Sequence, residues 1–220
     1  MSRREQMFVG SSYCLVSTDV TTVSCLYNSS CFLSCHYKTG KATIIHWTYM
    51  TGGDVTVHSF YYDRDQLKLQ DPRYKGRTSL VEDQDTGRPT ELLLKNVKVQ
   101  DEGKYQCFAD SEEHGYKTST VVLQVDAPVQ RVDMVRAGNS ITCSSEGVYP
   151  EPELTWSSSP QSSSTVQQTE EKLYNISSSL KLSDMDGDLL LSCTVRTRLN
   201  KLTTTTIHFN IIVDKYQSGT

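Results

Sequence analysis

Two cysteines with a tryptophan between them recur along this chain, and this repeat limits the folds that it can adopt more than any other feature. The pattern occurs first as Cys35, Trp47 and Cys107, and then as Cys143, Trp156 and Cys193. The cysteines are 72 residues apart in the first pair and 50 in the second, and each tryptophan follows its first cysteine by 12 or 13 residues. Two similar units, each with a core around one cross-link, are therefore predicted within the 220 residues.

The hydrophobic pattern between these residues is typical of β-strands. Apolar and polar residues alternate over short segments such as 43–50, 55–62 and 104–109, and clusters of Gly, Asp, Asn or Pro separate the segments. In an immunoglobulin sandwich a disulfide joins the two sheets and a tryptophan packs on it, which accounts for both spacings. The longer separation leaves room for the additional strands of a variable-type domain, and the shorter one fits the constant type. We therefore predict an all-β chain of two tandem immunoglobulin-like β-sandwiches, variable-type then constant-type.

The segment DEGKYQC, from Asp101 to Cys107, strengthens this prediction for the first unit. Asp101 and Gly103 suit the turn that enters a strand. Tyr105, two residues before the cysteine, occupies the position of a tyrosine corner, whose hydroxyl bonds back to the chain. Arg77 begins another strand, and we expect it to form an ion pair with Asp101.

Turn residues also indicate the domain boundaries. We place the first domain at residues 24–125 and the second at 126–215, because a strand pattern ends at the Asp-Ala-Pro sequence of 126–128, where proline lacks a backbone donor. Residues 1–23 are expected to form an N-terminal segment that is poorly ordered at its start. Residues 216–220 are expected to form a C-terminal tail.

Cysteine content and charge point to an extracellular protein. Seven cysteines and the Asn-x-Ser glycosylation sequons at Asn28 and Asn175 suit an oxidising, glycosylating compartment better than the cytosol. The formal net charge of -4 gives no reason to expect nucleic acid or an anionic membrane as a partner. Residues 5–22 contain no apolar leader core, and the apolar run at 207–213 is far shorter than the roughly 20 residues that span a bilayer. We expect a soluble protein, either secreted or the ectodomain of a plasma-membrane protein whose anchor lies outside this sequence.

Three further cysteines lie near the N-terminus, and their pairing is open. We favour a disulfide between Cys25 and Cys31 that clips the turn before a strand. Alternation places Cys31 on the same inward face as Cys35, so a small buried thiol is the alternative. Zinc binding by these cysteines and His36 is disfavoured, because their spacing matches no common zinc arrangement. Cys14 is then left without a partner in this chain, and we expect it to be a free thiol or to form an intermolecular disulfide.

No catalytic or cofactor-binding pattern stands out. None of the five histidines and many serines lies in a nucleophile elbow or beside a glycine-rich phosphate loop. The acidic segment 184–188 resembles the start of a calcium loop, but the twelfth position, which must be glutamate, would be Val195. We therefore expect no enzymatic activity, no cofactor, no metal and no small-molecule substrate.

The outer surface of the first domain remains as the candidate binding site. If Trp47 points inward, its neighbours along the strand point outward. The same alternation applies around Cys107, whose strand lies in the same sheet. We call this sheet the front sheet. Phe108 would then face solvent in mid-sheet and is a candidate interface anchor; a covering domain or oligomer partner is the alternative. On the strand at 55–62 our choice of face puts His58 and Phe60 outward. The predicted binding residues are His46, Thr48, His58, Phe60, Gln106, Phe108 and Asp110.

Four segments of the first domain resemble the B7 and butyrophilin family of T-cell costimulatory and coinhibitory ligands. They are IHW at 45–47, VHSFYY at 57–62, QDPRYKGRTSL at 70–80 and DEGKYQC at 101–107. The resemblance is close over about residues 31–107 and looser over 128–213, and the three N-terminal cysteines depart from it. It implies a cell-surface ligand whose front sheet binds an immunoglobulin-type receptor on T cells or other lymphoid cells, with the seven residues above on the recognition face.

Three classes of function remain open at this point. An immune ligand of costimulatory or coinhibitory type is expected to be a monomer that binds activated lymphocytes. The second class is a cell-adhesion module, homophilic or heterophilic, and the homophilic form would self-associate through the front sheet. A hydrolase or metal enzyme built on a sandwich would contain metal or have an active site.

Overall fold

The computed structural model describes residues 19–38, 40–41, 43–82, 89–157, 163–182 and 189–208. Sixteen strands lie in this part of the chain: β1 (Asp19–Leu26), β2 (Cys31–Ser34), β3 (Ile44–Tyr49), β4 (Val55–Tyr61), β5 (Arg64–Asp65), β6 (Thr78–Glu82), β7 (Pro89–Leu94), β8 (Gly103–Ser111), β9 (Gly115–Asp126), β10 (Asp133–Ala137), β11 (Ser140–Val148), β12 (Glu153–Trp156), β13 (Ser164–Gln168), β14 (Tyr174–Lys181), β15 (Leu189–Arg196) and β16 (Lys201–His208). Two short 3₁₀ turns cover Pro72–Tyr74 and Val99–Asp101. Among the described residues, no helix has the length and apolar character needed to cross a membrane.

The first nine strands form a two-sheet sandwich. The front sheet has six strands in the order β1-β9-β8-β3-β4-β5, and the back sheet has three in the order β2-β7-β6. Strand β1 lies parallel to β9, whereas the other neighbours in the front sheet are antiparallel. Strands β4 and β5 lie beyond β3, where a variable-type domain carries its additional strands.

The core between these sheets is built around the predicted disulfide. Cys35 and Cys107 are joined, and Trp47 lies directly opposite Cys107 on the neighbouring strand. The fully buried side chains that surround them come from both sheets and from the connections between strands: Leu33, Ile45, Val57, Tyr74, Leu92, Leu94, Val97, Tyr105 and Leu123. Alternation along each strand places these residues inward, and burial of their apolar surface is the main stabilising contribution.

The predicted tyrosine corner and its ion pair are confirmed. The Tyr105 hydroxyl donates to the Asp101 carbonyl oxygen at 2.8 Å and lies 3.2 Å from the Tyr74 hydroxyl. The Arg77 guanidinium contacts both carboxylate oxygens of Asp101, whose side chain is buried. Burial raises the pKa of Tyr105 and raises that of Tyr74 to about 12. The turn that enters β8 is therefore tied to the residue before strand β6 and to the core.

A second disulfide joins the edges of the two sheets. Cys25 on β1 is bonded to Cys31, the first residue of β2. This is the pairing that we favoured, and both sulfurs are therefore committed to it rather than to a thiol or to zinc. Strand β1 begins at Asp19, before the boundary that was expected at residue 24. The prediction for Cys14 lies outside the described residues.

The remaining strands form the second sandwich. A four-stranded sheet has the order β10-β11-β14-β13, and it faces a three-stranded sheet with the order β12-β15-β16. The Cys143–Cys193 disulfide joins them, with Trp156 directly opposite Cys193. This four-plus-three arrangement is that of constant-type domains. The predicted fold, two tandem immunoglobulin-like sandwiches in an all-β chain, is confirmed.

The two sandwiches are in contact where β9 ends. Glu102 accepts hydrogen bonds from the Val125 amide at 2.8 Å and from the Tyr149 hydroxyl at 3.0 Å. Arg198 of the second domain donates to Asp126 at 2.7 Å and to the Val125 carbonyl oxygen at 2.8 Å. Apolar side chains from both domains pack beside this network: Val99, Ala127, Leu173, Tyr27 and Tyr149.

Candidate functional site

Five aromatic rings lie in a row across the outer face of the front sheet. They come from β9, β8, β3, β4 and the turn after β4: Tyr116, Phe108, His46, Tyr61 and Tyr62. We call these five residues the aromatic row. Centroids of neighbouring rings are 5.3 to 6.4 Å apart. The two end residues protrude furthest, since Tyr116 is 75% exposed and Tyr62 is 83% exposed.

The pairing register of the strands produces this row. His46 lies opposite Phe108 on β8 and opposite Ser59 on β4. Directly paired residues point to the same face of a sheet, so these three side chains all lie on the outer side. The Phe108 ring stacks against Tyr116 on one side and against His46 on the other, with interplanar angles of 18° and 29°.

His46 occupies the centre of the row as an imidazole with one polar contact. Its Nδ1 atom lies 3.0 Å from the Ser59 hydroxyl oxygen. Burial by the surrounding rings and strands lowers the pKa of His46 from its ordinary value. The ring is therefore neutral near physiological pH, and the middle of the row is a largely apolar surface.

Five of the seven predicted binding residues lie on this outer face. His46 and Phe108 belong to the row itself. Thr48 and Gln106 lie directly opposite each other on β3 and β8, and both are partly exposed. Asp110 pairs with Tyr116 at the end of the row and contributes a carboxylate there. The contiguous surface predicted for β3 and β8 therefore exists.

The predicted outward orientation of His58 and Phe60 is wrong. His58 lies directly opposite Trp47, which points into the core, and its side chain is fully buried. Phe60 packs against the core cluster from the same face. The reason is a register shift in the pairing of β3 with β4, between Trp47 and Thr48. This irregularity decides which face of β4 is turned inward. It cannot be predicted from the alternation of residues along β4 alone.

Ser59 and Tyr61 take the outward positions on β4 instead. Tyr61 lies 5.9 Å from His46 between ring centroids and continues the row. A run of aromatic residues at 60–62 is the sequence signal for this part of the surface, but it does not indicate which of the rings faces solvent. The structure resolves that ambiguity, because His46 and Ser59 share a face and Tyr61 follows two residues later.

The described residues also bear on the metal sites that were considered. Among them, no group of three or more His, Cys, Asp or Glu side chains is arranged to hold a metal ion. The three cysteines of the zinc hypothesis are all in disulfides. The acidic segment at 184–188 lies outside the described residues.

The two predicted glycosylation sequons are in different settings. Asn28 is exposed in the turn between β1 and β2, where its backbone has a φ of 61°. Asn175 lies on β14 and is partly buried, and its side-chain oxygen accepts a hydrogen bond from the Gly147 amide at 3.0 Å. Glycan attachment at both residues stays a prediction.

Comparison with known proteins identifies both domains. The model of the immunoglobulin V-set domain matches residues 19–126, and that of the CD80-like C2-set immunoglobulin domain matches residues 124–201. Human HERV-H LTR-associating protein 2 is 31% identical over 175 residues, which are 77% of this chain and 41% of that protein. Mouse programmed cell death 1 ligand 1 is 30% identical over 180 residues, 74% of this chain and 60% of that protein. The chain belongs to the B7 and butyrophilin family.

A solved structure agrees with this family assignment at the level of the fold. A chain in the crystal structure of ICOS in complex with ICOS-L and an anti-ICOS-L VNAR domain superposes with a TM-score of 0.68 and 23% identity. The match covers 86% of this B7-family chain and all of that chain. The two curated relatives are longer than the part matched here, since this chain spans 41% and 60% of their lengths.

Proposed function

We propose that this chain is an extracellular immune-regulatory ligand, costimulatory or coinhibitory, that binds an immunoglobulin-type receptor on T cells or other lymphoid cells. The front sheet of the variable-type domain is the binding surface. The protein acts at the cell surface or in a secreted form. It works by recognition rather than by chemistry.

The aromatic row is the observation that carries this proposal. Aromatic side chains are enriched at the energetic centres of protein interfaces, because they bury a large area and lose little side-chain entropy. Five adjoining rings on an exposed sheet face are more than folding requires, since the core has its own aromatic residues on the opposite face. A partner that covers the row would bury Phe108, with Thr48, Gln106 and Asp110 as polar contacts around it.

The relatives support the same class of partner. Programmed cell death 1 ligand 1 is by name a ligand, and the fold of this chain is also found in the solved complex of ICOS with ICOS-L. The family resemblance supports a recognition face on the front sheet. The β4 residues His58 and Phe60 are not part of the proposed contact, and Tyr61 takes their place.

The test is replacement of Phe108 with a matched control on the back sheet. Tetramers of the chain, biotinylated and linked by streptavidin, are titrated on activated lymphocytes and measured by flow cytometry. We expect Phe108→Ala to lower affinity by more than about 1 kcal/mol, roughly fivefold or more, with little change in melting temperature. Phe32, half exposed on the outer face of the back sheet, supplies the control, and Phe32→Ala should stain like the wild type.

If Phe108→Ala and Phe32→Ala both stain like the wild type, the front sheet is not the binding surface. Sedimentation of the free chain tests the adhesion alternative at the same time. Self-association that Phe108→Ala abolishes, without lymphocyte staining by the wild type, would favour a homophilic adhesion module over a receptor ligand.

A further inference from the structure

The hairpin between β4 and β5 ends in a strained turn. Tyr61 pairs with Arg64, and the two residues between them, Tyr62 and Asp63, have φ values of 56° and 55°. A two-residue turn with positive φ at both positions usually contains Asn, Asp or Gly. A tyrosine is disfavoured there, because its Cβ atom crowds the backbone in the left-handed region.

Burial does not explain the tyrosine at this position. The Tyr62 side chain is 83% exposed and touches the rest of the row through Tyr61, whose ring is edge-on to it at 5.3 Å. Strained residues persist where the surrounding structure holds them in place, and they cluster at sites of recognition. A bulky residue kept in an unfavourable backbone conformation while its ring stays in solvent points to a role outside folding.

A series of hydrogen bonds links the β4–β5 hairpin to the back sheet. The Gln70 side-chain amide donates to the Thr78 hydroxyl at 2.7 Å. The Thr78 oxygen lies 3.0 Å from Nδ1 of His58, and Nε2 of His58 lies 3.0 Å from Oδ1 of Asp65 on β5. His58 is fully buried, whereas Asp65 is 46% exposed.

The donors and acceptors in this series of hydrogen bonds can all be paired. With a proton on Nε2, His58 donates to Asp65, and its Nδ1 atom pairs with the Thr78 hydroxyl. The Thr78 oxygen also accepts from Gln70, so every group in the series has a partner. The back sheet is in this way connected to the two-residue strand β5, which also pairs with Phe60 and Tyr61 through the backbone.

We propose that Tyr62 is a receptor-contacting residue and that the His58–Asp65 hydrogen bond positions it. The inference rests on the proposed function and extends the contact surface beyond the sheet to the hairpin tip. The phenol suits a hydrophobic pocket on the immunoglobulin-type receptor with a hydrogen-bonding group at its mouth. The tether keeps the hairpin in its bound conformation before the receptor arrives, which reduces the ordering needed on binding.

A glycine substitution separates contact from folding. Tyr62→Gly relieves the strain and removes the ring, so we expect a melting temperature equal to or above that of the wild type and a half-saturating tetramer concentration on activated lymphocytes raised about tenfold. Lys172, with a φ of 65° in the second domain, is the matched position. Lys172→Gly relieves comparable strain and should leave staining unchanged.

Two results would overturn the contact role of Tyr62. Unchanged staining by Tyr62→Gly would make Tyr62 a turn residue only. A clear fall in its melting temperature would show that the phenol serves the fold, which removes the argument from strain. If Phe108→Ala lowers staining and Tyr62→Gly does not, the further inference fails alone; if the wild type does not stain, the proposed function fails.

The positioning role is tested at Asp65. Asp65→Asn keeps an oxygen that accepts from Nε2 of His58 and should stain like the wild type, whereas Asp65→Ala should weaken staining about fivefold. In a Tyr62→Gly background Asp65→Ala should have no further effect, because the residue that it positions is gone. Additive losses in the double variant would contradict positioning and indicate an independent contribution of Asp65.

Discussion

The imidazole of His46 is the titratable ring at the centre of the aromatic row, and its surroundings make the fold sensitive to acid. Burial lowers its pKa below the ordinary value of 6.5. The unfolded chain therefore takes up a proton at a higher pH than the folded chain. By linkage, the stability that depends on neutral His46 is present above about pH 6.5 and is lost as the pH falls toward the lowered value.

Replacement of His46 by phenylalanine tests this sensitivity. His46→Phe keeps a ring between Tyr61 and Phe108 but cannot bind a proton. We expect the melting temperature of the wild type to fall more than that of the variant between about pH 7.5 and about pH 5.5. The lost hydrogen bond to Ser59 shifts the variant's curve by an amount that does not depend on pH. If the melting temperatures of the wild type and of His46→Phe fall by the same amount across this pH range, the effect is contradicted.

At the level of the element, β4 and β14 show that the alternation of apolar and polar residues does not always predict which side chains face the core. On β4 the faces are set by pairing with β3, so the outward residues are Ser59 and Tyr61. On β14 the inward positions include Ser178, a buried hydroxyl that accepts a hydrogen bond from the Trp156 indole at 3.1 Å. This polar residue interrupts the apolar pattern, and the segment was not among the strands expected from the sequence.

The Cys25–Cys31 disulfide, which links β1 to β2, makes a contribution to the free energy of unfolding that can be measured. In the chain-entropy description, a disulfide that closes a short loop constrains the unfolded state less than one that closes a long loop. For a sequence separation of 6 residues the expected contribution is about 2 kcal/mol.

We expect the double variant Cys25→Ala with Cys31→Ala to unfold at lower urea concentration by about that free energy, with an unchanged slope. Tetramer staining should be unaffected, because the clip is at the edge of the front sheet opposite the β4–β5 hairpin. A loss below about 0.5 kcal/mol would mean that the turn is held by other contacts, such as the bond from the Asn28 amide to the Val97 carbonyl oxygen.

For the molecule as a whole, the junction between the domains is a defined contact rather than a free linker. Asp126 is buried, and Arg198 supplies its charged partner. Burial and the adjacent Glu102 carboxylate raise the pKa of Tyr149 to about 12, so its hydroxyl keeps the proton that it donates to Glu102. These contacts limit the angle between the sandwiches and therefore the direction in which the front sheet is presented.

Arg198→Ala should loosen this junction. It leaves the Asp126 carboxylate without its cation, and because Arg198 is 38% exposed we expect a loss of about 1 kcal/mol. Small-angle X-ray scattering should show a broader distribution of distances between the domains. Arg196→Ala is the control, since Arg196 pairs with Glu153 on the exposed face of the second domain alone. Identical scattering from the two variants would argue against a junction held by Arg198.

The sequence by itself determined the two sandwiches, the disulfide that joins the sheets in each, the tyrosine corner and the outward residues of β3 and β8, whereas it left the pairing of Cys25 and Cys31 open. These features depend on spacing, on turn chemistry and on alternation around a residue whose direction is known. Only the tertiary structure decided the faces of β4 and the assembly of the aromatic row. The physical reason is that strand register is a relation between distant segments, so neither strand carries it alone.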